Sequence, residues 1–225
     1  MARRPVHGVL LLDKPLGWSS NDALQKAKRL FNAQKAGHTG TLDPLASGLL
    51  PLCFGAATKF SQASLDADKR YTATLRLGVT MTTGDLEGKV VERRPVEVDR
   101  AGIDAVLARF VGTIDQRPPM HSALKHEGKA LYEYARLGLE VARRVRRVTV
   151  HGIDVLAWRE DLLTIDVRCS KGTYIRTLAE DIGTALGCGA HLAALRRTGS
   201  GALTIDEAIT LDALEACPEA QRDAC

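Results

Sequence analysis

The run GHTGTLDPLASG, from Gly37 to Gly48, holds one carboxylate, Asp43, in a glycine-punctuated segment among groups that cannot neutralise it. Pro44 fixes its own φ and pushes Asp43 toward an extended conformation, so the spacing predicts a shaped loop rather than a helix or strand. An ionised carboxylate held in this way can act as a nucleophile or assist a proton transfer. The same residues taken alone also describe an ordinary Asp-Pro turn with threonine neighbours.

Other segments with chemical potential are LLLDKPLGWSSNDAL at residues 10–24, ATKFSQ at 57–62, DKRYTATLRLG at 68–78, SALKHEGKALYEYAR at 122–136, and CSKGTYIRTLAEDIG with CGAHLAALRR at 169–197. Together with GHTGTLDPLASGLLP, and in this order, they resemble the TruB-type family of bacterial tRNA pseudouridine-55 synthases over nearly the whole chain to about residue 210. That resemblance implies a pseudouridine synthase fold and an enzyme that isomerises one uridine of the tRNA TΨC loop to pseudouridine. It places the catalytic aspartate on Asp43. It also implies that Arg176 is the cationic partner of Asp43, that the Tyr71 ring packs on the target base, that Leu195 lines the base pocket, and that Lys14 and Pro15 support it. His38 would help replace the flipped base in the RNA stack, and Tyr174 joins the substrate-binding set. The loop Thr80–Asp85 departs from the family's commoner acidic pattern but keeps the acid at Asp85.

Each of these residues also has a bland reading. A tyrosine on an apolar strand face is usually core, a loop histidine is usually a solvated bystander, and most leucines before an Arg-Arg pair merely pack. A cation in the first turn of a helix is nevertheless unfavourable without an anionic partner, which sets Arg176 apart. Arginine suits that partnership because its guanidinium meets a carboxylate bidentately and favours its charged form.

Composition narrows the classes. Across 225 residues, 45% are hydrophobic and 26% charged, as in ordinary soluble domains. No apolar run approaches a membrane span, and the five cysteines include no CxxC pair, so reduced buried thiols in a cytoplasmic protein are expected. The net charge of +4 conceals an asymmetry: residues 206–225 carry six acids against Arg222 alone, leaving 30 basic and 21 acidic residues, or +9, in positions 1–205. Such a basic body suits a polyanion. The RNA contacts expected are Lys125, Lys129, Arg143, Arg144, Arg146 and Arg147, in a segment read as an RNA-binding insertion over 112–147. The partner implied is tRNA, through its T-arm stem-loop, met by a monomer with no obligate protein partner, no membrane contact, no cofactor and no metal. HEGKA at 126–130 lacks the early glycine and terminal Ser/Thr of a P-loop, and no further ligands accompany His38 and Asp43 at metal-site spacing. The rival class is a noncatalytic tRNA-binding or tRNA-folding protein on the same fold.

The elements that must position these groups are legible in outline. Val9–Leu12 reads as a buried strand, followed by a helix capped at Ser19, Ser20 or Asn21 with Ala23, Leu24, Ala27, Leu30 and Phe31 on one face. Tyr71, Ala73, Leu75 and Leu77 alternate with polar residues as a half-buried strand, and a turn at 82–88 leads into a hairpin. A helix is predicted over Asp99–Phe110, strands over Val148–Val155 and Leu163–Cys169, a helix starting at Thr173, and a helix-like segment over Asp206–Ala216. The class is α+β with a mixed, mainly antiparallel sheet. Residues 1–210 are expected to form the catalytic domain, with 211–225 a partial extension in place of the family's usual C-terminal RNA-binding domain.

Overall fold

The computed structural model describes residues 2–224. In chain order the elements are β1 (Gly8–Lys14), α1 (Ser20–Leu30), β2 (Ala36–His38), β3 (Ala46–Phe54), α2 (Ser61–Asp66), β4 (Lys69–Leu77), β5 (Val79–Met81), β6 (Val90–Arg93), α3 (Arg100–Arg109), β7 (Gly112–Gln116), β8 (Lys125–His126), β9 (Lys129–Ala130), α4 (Leu131–Arg136), β10 (Arg146–Arg159), β11 (Leu162–Cys169), α5 (Ile175–Ala185), β12 (Ala190–Ser200), β13 (Leu203–Thr204), β14 (Ile209–Thr210) and α6 (Leu211–Ala216). The class is α+β with mixed, mainly antiparallel pairing, as the alternation predicts. Contacts divide the chain into two units, Met1–Thr72 with Ala194–Cys225, and Ala73–Ala193.

In the first unit the strand order is β14-β1-β3-β12. β1 runs antiparallel to β3 from Gly8 opposite Phe54 to Lys14 opposite Gly48. The other edge of β3 is shared: β2 pairs antiparallel with its end, His38 facing Leu52, while β12 pairs parallel with its beginning, Arg197 facing Gly48. The chain that connects the end of β2 to the start of β3 carries Asp43. Gly48 has φ +102°, and a Cβ there would lie 2.3 Å from the Arg197 carbonyl oxygen, so only glycine allows the two strands to approach.

α1 covers this sheet. The Ser19 side chain accepts from the Asp22 N–H and caps its start, and Lys28 and Arg29 lie in its last turn, favourable placements at both ends. Ala23, Leu24, Ala27 and Phe31 are buried against Leu10, Leu12, Leu50, Leu52 and Phe54, with each fully buried Leu or Phe contributing about 1.5–3 kcal/mol of transfer free energy. Leu211 and Leu214 of α6 complete the same core. The stretch from residue 211, expected as an extension, thus begins inside the hydrophobic core. The helix-like segment over Asp206–Ala216 is likewise divided: a 3-10 turn at Ile205–Glu207, then β14 parallel to β1, then α6 capped by Thr210.

In the second unit the order is β4-β11-β10-β7. Leu163, Ile165, Val167 and Cys169 are all fully buried, as their alternation requires, and β10 slips register between Val150 and Gly152. α3 begins at the Asp99 cap, which accepts from Gly102 N, and buries Ile103 and Leu107. Two boundaries differ from the sequence reading. α5 starts at Ile175 rather than Thr173, because Gln116, only 1% exposed, takes the Tyr174 backbone on both sides: its Oε1 accepts from Tyr174 N at 3.0 Å and its Nε2 donates to Tyr174 O at 3.2 Å. The insertion read over 112–147 is shorter, because Gly112–Gln116 and the start of β10 are paired strands, with Arg146 opposite Gln116. Only 117–145 lies outside that pairing, and it carries the β8–β9 hairpin and α4.

Candidate active site

Asp43 sits on a loop whose ends are strands rather than loop throughout: His38 closes β2 and Ala46 opens β3. Between them the backbone is pinned at several points. Thr39 N donates to Pro51 O at 3.0 Å, and the buried Thr39 hydroxyl bonds Ser64 at 2.9 Å. The Ser20 hydroxyl donates to Leu42 O at 3.0 Å and accepts from Leu42 N at 2.8 Å. Ala46 N returns to Asp43 O at 3.0 Å, the closing bond of the Asp-Pro turn, and Gly17 N donates to Pro44 O at 2.8 Å. Leu42 is buried and Asp43 exposed, so the loop anchors through one residue and presents the next.

Lys14 explains why the segment around Gly17 can serve as an anchor. It is fully buried at the end of β1, and its ammonium donates to Trp18 O at 2.6 Å and Pro15 O at 3.0 Å, folding the 15–18 turn over itself. Burial pushes this amine down to about 8; the nearby charge of Asp43 works against that shift and the charge of Arg197 works with it. Lys14 and the Pro15 carbonyl thus hold the turn whose Gly17 N–H bonds Pro44 O.

Arg196 and Arg197 follow each other on β12 and part company. Arg196 makes a two-point pair with Asp13, at 2.7 and 3.0 Å, and remains partly exposed. Arg197 is 1% exposed; its Nε donates to Leu49 O at 2.7 Å, its Nη2 to Gly40 O at 3.2 Å, and its guanidinium also hydrogen-bonds the Tyr71 side chain. Tyr71 is half-buried on β4, and Leu195 is half-buried on β12 opposite Ala46. Among the described residues the buried His38 Nδ1 has no hydrogen-bond partner, and burial, followed by the Arg197 charge, holds its imidazole below the usual histidine range. It is a neutral ring at physiological pH.

The second unit contains Arg176, in the first turn of α5. Its Nε lies 2.9 Å from the Asp85 carboxylate, both groups being about nine-tenths buried, and its Nη1 donates to His121 O and Thr83 O. Asp85 is itself held by the Thr83 hydroxyl at 2.6 Å and by Glu87 N at 3.1 Å. One turn along α5, the Glu180 carboxyl fills the space beside Gly84: a Cβ at that φ +72° position would meet it at 2.7–2.9 Å. Burial, then Asp181, pushes the Glu180 carboxyl up to about 7, against the pull of Arg176 and with a further push from Asp85.

Family profiles match two adjoining stretches of the chain: "TruB family pseudouridylate synthase (N terminal domain)" over residues 28–175 and "tRNA pseudouridylate synthase B C-terminal domain" over 176–224. The chain belongs to the TruB family. It is 67% identical to the tRNA pseudouridine synthase B of Cupriavidus pinatubonensis, covering 100% of this chain and 72% of that protein, and 66% identical to that of Ralstonia nicotianae, covering 99% and 72%. Among solved structures it resembles a chain of a Cbf5–Nop10–Gar1 complex, with a TM-score of 0.75 at 37% identity over 97% of this chain, and a chain of an H/ACA RNP bound to a substrate RNA containing 2′-deoxyuridine, with 0.72 at 34% over 97%. The chain spans 59% and 58% of those two chains. TruB-type chains are pseudouridine synthases, so the fold and enzyme class expected from the motifs hold for this one.

The site residues named from sequence distribute over both units. Lys14, Pro15, His38, Asp43, Tyr71 and Leu195 belong to the first, where Arg197, not singled out in the sequence, interacts with Tyr71 and disfavours the protonated forms of Lys14 and His38. Arg176, Tyr174 and the basic insertion belong to the second. There Lys125, Arg143, Arg144 and Arg146 line a cavity of about 320 Å³ with His126, whereas Lys129 is exposed on β9. Arg143 is largely committed within the insertion, donating to Pro118 O, Val141 O and Glu140, and Arg147 faces Asp115 at 3.7 Å. Gln116 and Glu180 were found only through the fold, because a strand-end glutamine and one of two adjacent acids in a helix carry no distinctive local signal; Asp85 was noted as the acid of its loop, but its pairing with Arg176 came from the fold.

Proposed function

We propose that this chain converts uridine to pseudouridine in tRNA, at position 55 of the TΨC loop, with Asp43 as the essential carboxylate and Arg176 as a further residue the reaction needs. The observation carrying this reading is Asp43 itself: an exposed carboxylate on a loop pinned on both sides, presented beside the buried cations Lys14 and Arg197. The reaction breaks the N1–C1′ bond of uridine and joins C1′ to C5; C5 loses a hydrogen and N1 gains one. Atoms balance without oxidant or reductant, so the protein's task is to hold charge, exclude water and position the base.

The target base must leave its stack to reach Asp43, at a cost of about a few kcal/mol. A loop nucleotide lowers that cost because it is not held in a regular duplex. The neutral imidazole of His38 suits a place in the RNA stack, where a charged ring would have to be desolvated. Tyr71 supplies a ring face for the base, Leu195 an apolar wall, and Lys125, Arg144 and Arg146 charges for the stem phosphates.

The test is pseudouridine formation on an unmodified T-arm stem-loop, without cofactor and with a chelator present. One pseudouridine per RNA at the target position is expected from the natural sequence, and none from Asp43→Asn at unchanged RNA affinity. Tight binding without product by the unsubstituted chain would instead identify a noncatalytic tRNA-binding protein.

A further inference from the structure

Arg197 is a guanidinium taken almost wholly out of water, and among the described residues its hydrogen bonds go to two carbonyls and a phenol rather than to a carboxylate. A buried charge is costly to keep unless it is hydrogen-bonded, and a side chain that only packed β12 against β3 would not need one. Its three contacts are not equivalent. Leu49 O lies on β3 and fixes the stem of the side chain. Gly40 O belongs to the loop that carries Asp43, three residues before it. The third contact is the hydroxyl of Tyr71, on β4.

We infer that Arg197 is a positioning residue for the pseudouridine synthase reaction, its guanidinium tying the Tyr71 hydroxyl to the Asp43 loop so that the aromatic ring and the carboxylate are set by one rigid group. The guanidinium is planar and presents its N–H donors in fixed directions, so a donor on one edge held by Leu49 O determines where the others point. Because Arg197 can only donate, the Tyr71 oxygen accepts from it. The phenol's own proton is then left for another acceptor, and negative charge developing on that oxygen is stabilised. Arg196, its neighbour, has no part in this: strand alternation turns it to the opposite side, onto Asp13.

The inference rests on the reading of Asp43 and Tyr71 given above, and a double-mutant cycle tests it. Single-turnover pseudouridine formation and RNA affinity are measured for the natural sequence, Arg197→Lys, Tyr71→Phe and the double variant. Lysine keeps the charge but cannot reproduce the fork. Arg197→Lys should slow the reaction about 10²-fold, the size typical of losing one preorganised donor, with RNA affinity within about twofold. The double variant should be no slower than the slower single variant, because both changes remove the same contact. A purely structural arginine would give independent effects, so a double variant slowed by the product of the two factors overturns the proposal.

Thermal unfolding supplies a second arm that needs neither activity nor an Arg197 variant. Tyr71→Phe removes an acceptor from a buried cation, so it should lower the Tm in the natural background. An unchanged Tm there overturns the contact. Absence of product from the natural sequence would refute the functional reading, while the Tm arm would still decide the contact.

Discussion

Arg176 and Arg197 are both buried, 7% and 1% exposed, yet their surroundings differ in kind. Arg176 meets a carboxylate, Asp85, that is itself fixed by Thr83 and Glu87, so its charge is balanced close at hand. Arg197 meets carbonyl dipoles and a phenol, and its charge reaches Lys14 and His38, helping to lower the pKa of both. A paired cation orients; one bound only by neutral acceptors also sets the potential of its surroundings. Residue type alone cannot separate the two uses, because both are arginines near the start or the end of a regular element.

The largest effect is expected from removing the anion on which such cations would act. Asp43→Asn deletes a charge but almost no volume, so pseudouridine formation should fall below detection while a filter-binding assay shows RNA affinity unchanged. Product at the natural rate would dismiss the carboxylate mechanism. Arg176→Lys comes next: the ammonium cannot reproduce the guanidinium's bonds to Asp85, Thr83 and His121, and the single-turnover rate should fall by about 10²–10³-fold. Asp85→Asn asks whether the pair also holds the fold. Breaking a buried ion pair from one side costs about 3–5 kcal/mol, which a urea titration would show as a lower midpoint, and an unmoved midpoint would mean that Arg176 is balanced without Asp85.

Smaller effects sharpen the comparison. If His38 is a neutral ring that stabilises the flipped state, His38→Ala should slow the reaction by about tenfold, equivalent to about 1.4 kcal/mol of the unstacking cost, without abolishing it. A fluorescent base beside the target uridine reports this directly. Normal unstacking with a lost chemical step would make His38 part of the bond-making machinery instead. The smallest effect belongs to Glu180, whose folded carboxyl titrates near 7 rather than 4.5. Between those values the folded chain keeps a proton that the unfolded chain has released. The contribution to stability is fully present below pH 4.5 and lost as pH rises through 7. Glu180→Gln should therefore match the natural Tm at pH 4.5 and exceed it slightly at pH 8. An equal difference at both pH values would locate the effect in packing rather than in the proton.

Much of the architecture was legible in the residues because local rules agreed with the final packing. Ser19 caps α1, the apolar alternation of β11 is buried as written, and Asp99 and Phe110 bound α3. Where the reading slipped, a distant residue had intervened. Gln116 binds the Tyr174 backbone and delays α5, and β14 joins the edge of β1 and shortens the C-terminal helix.

The sequence by itself determined Asp43 and the loop that shows it. Three glycines and an Asp-Pro turn restrict a short stretch of backbone through sterics that act between neighbours. It also determined the strands that carry Tyr71 and Leu195, since a period of two is a property of the chain. The tertiary structure alone decided which of two adjacent arginines would be buried, and that Arg197 would meet Gly40, Leu49 and Tyr71. The parallel pairing of β12 with β3 joins residues about 150 positions apart. A charge buried through such pairing leaves no mark in its own neighbourhood of the sequence, because what stabilises it comes from strands and a loop elsewhere in the chain.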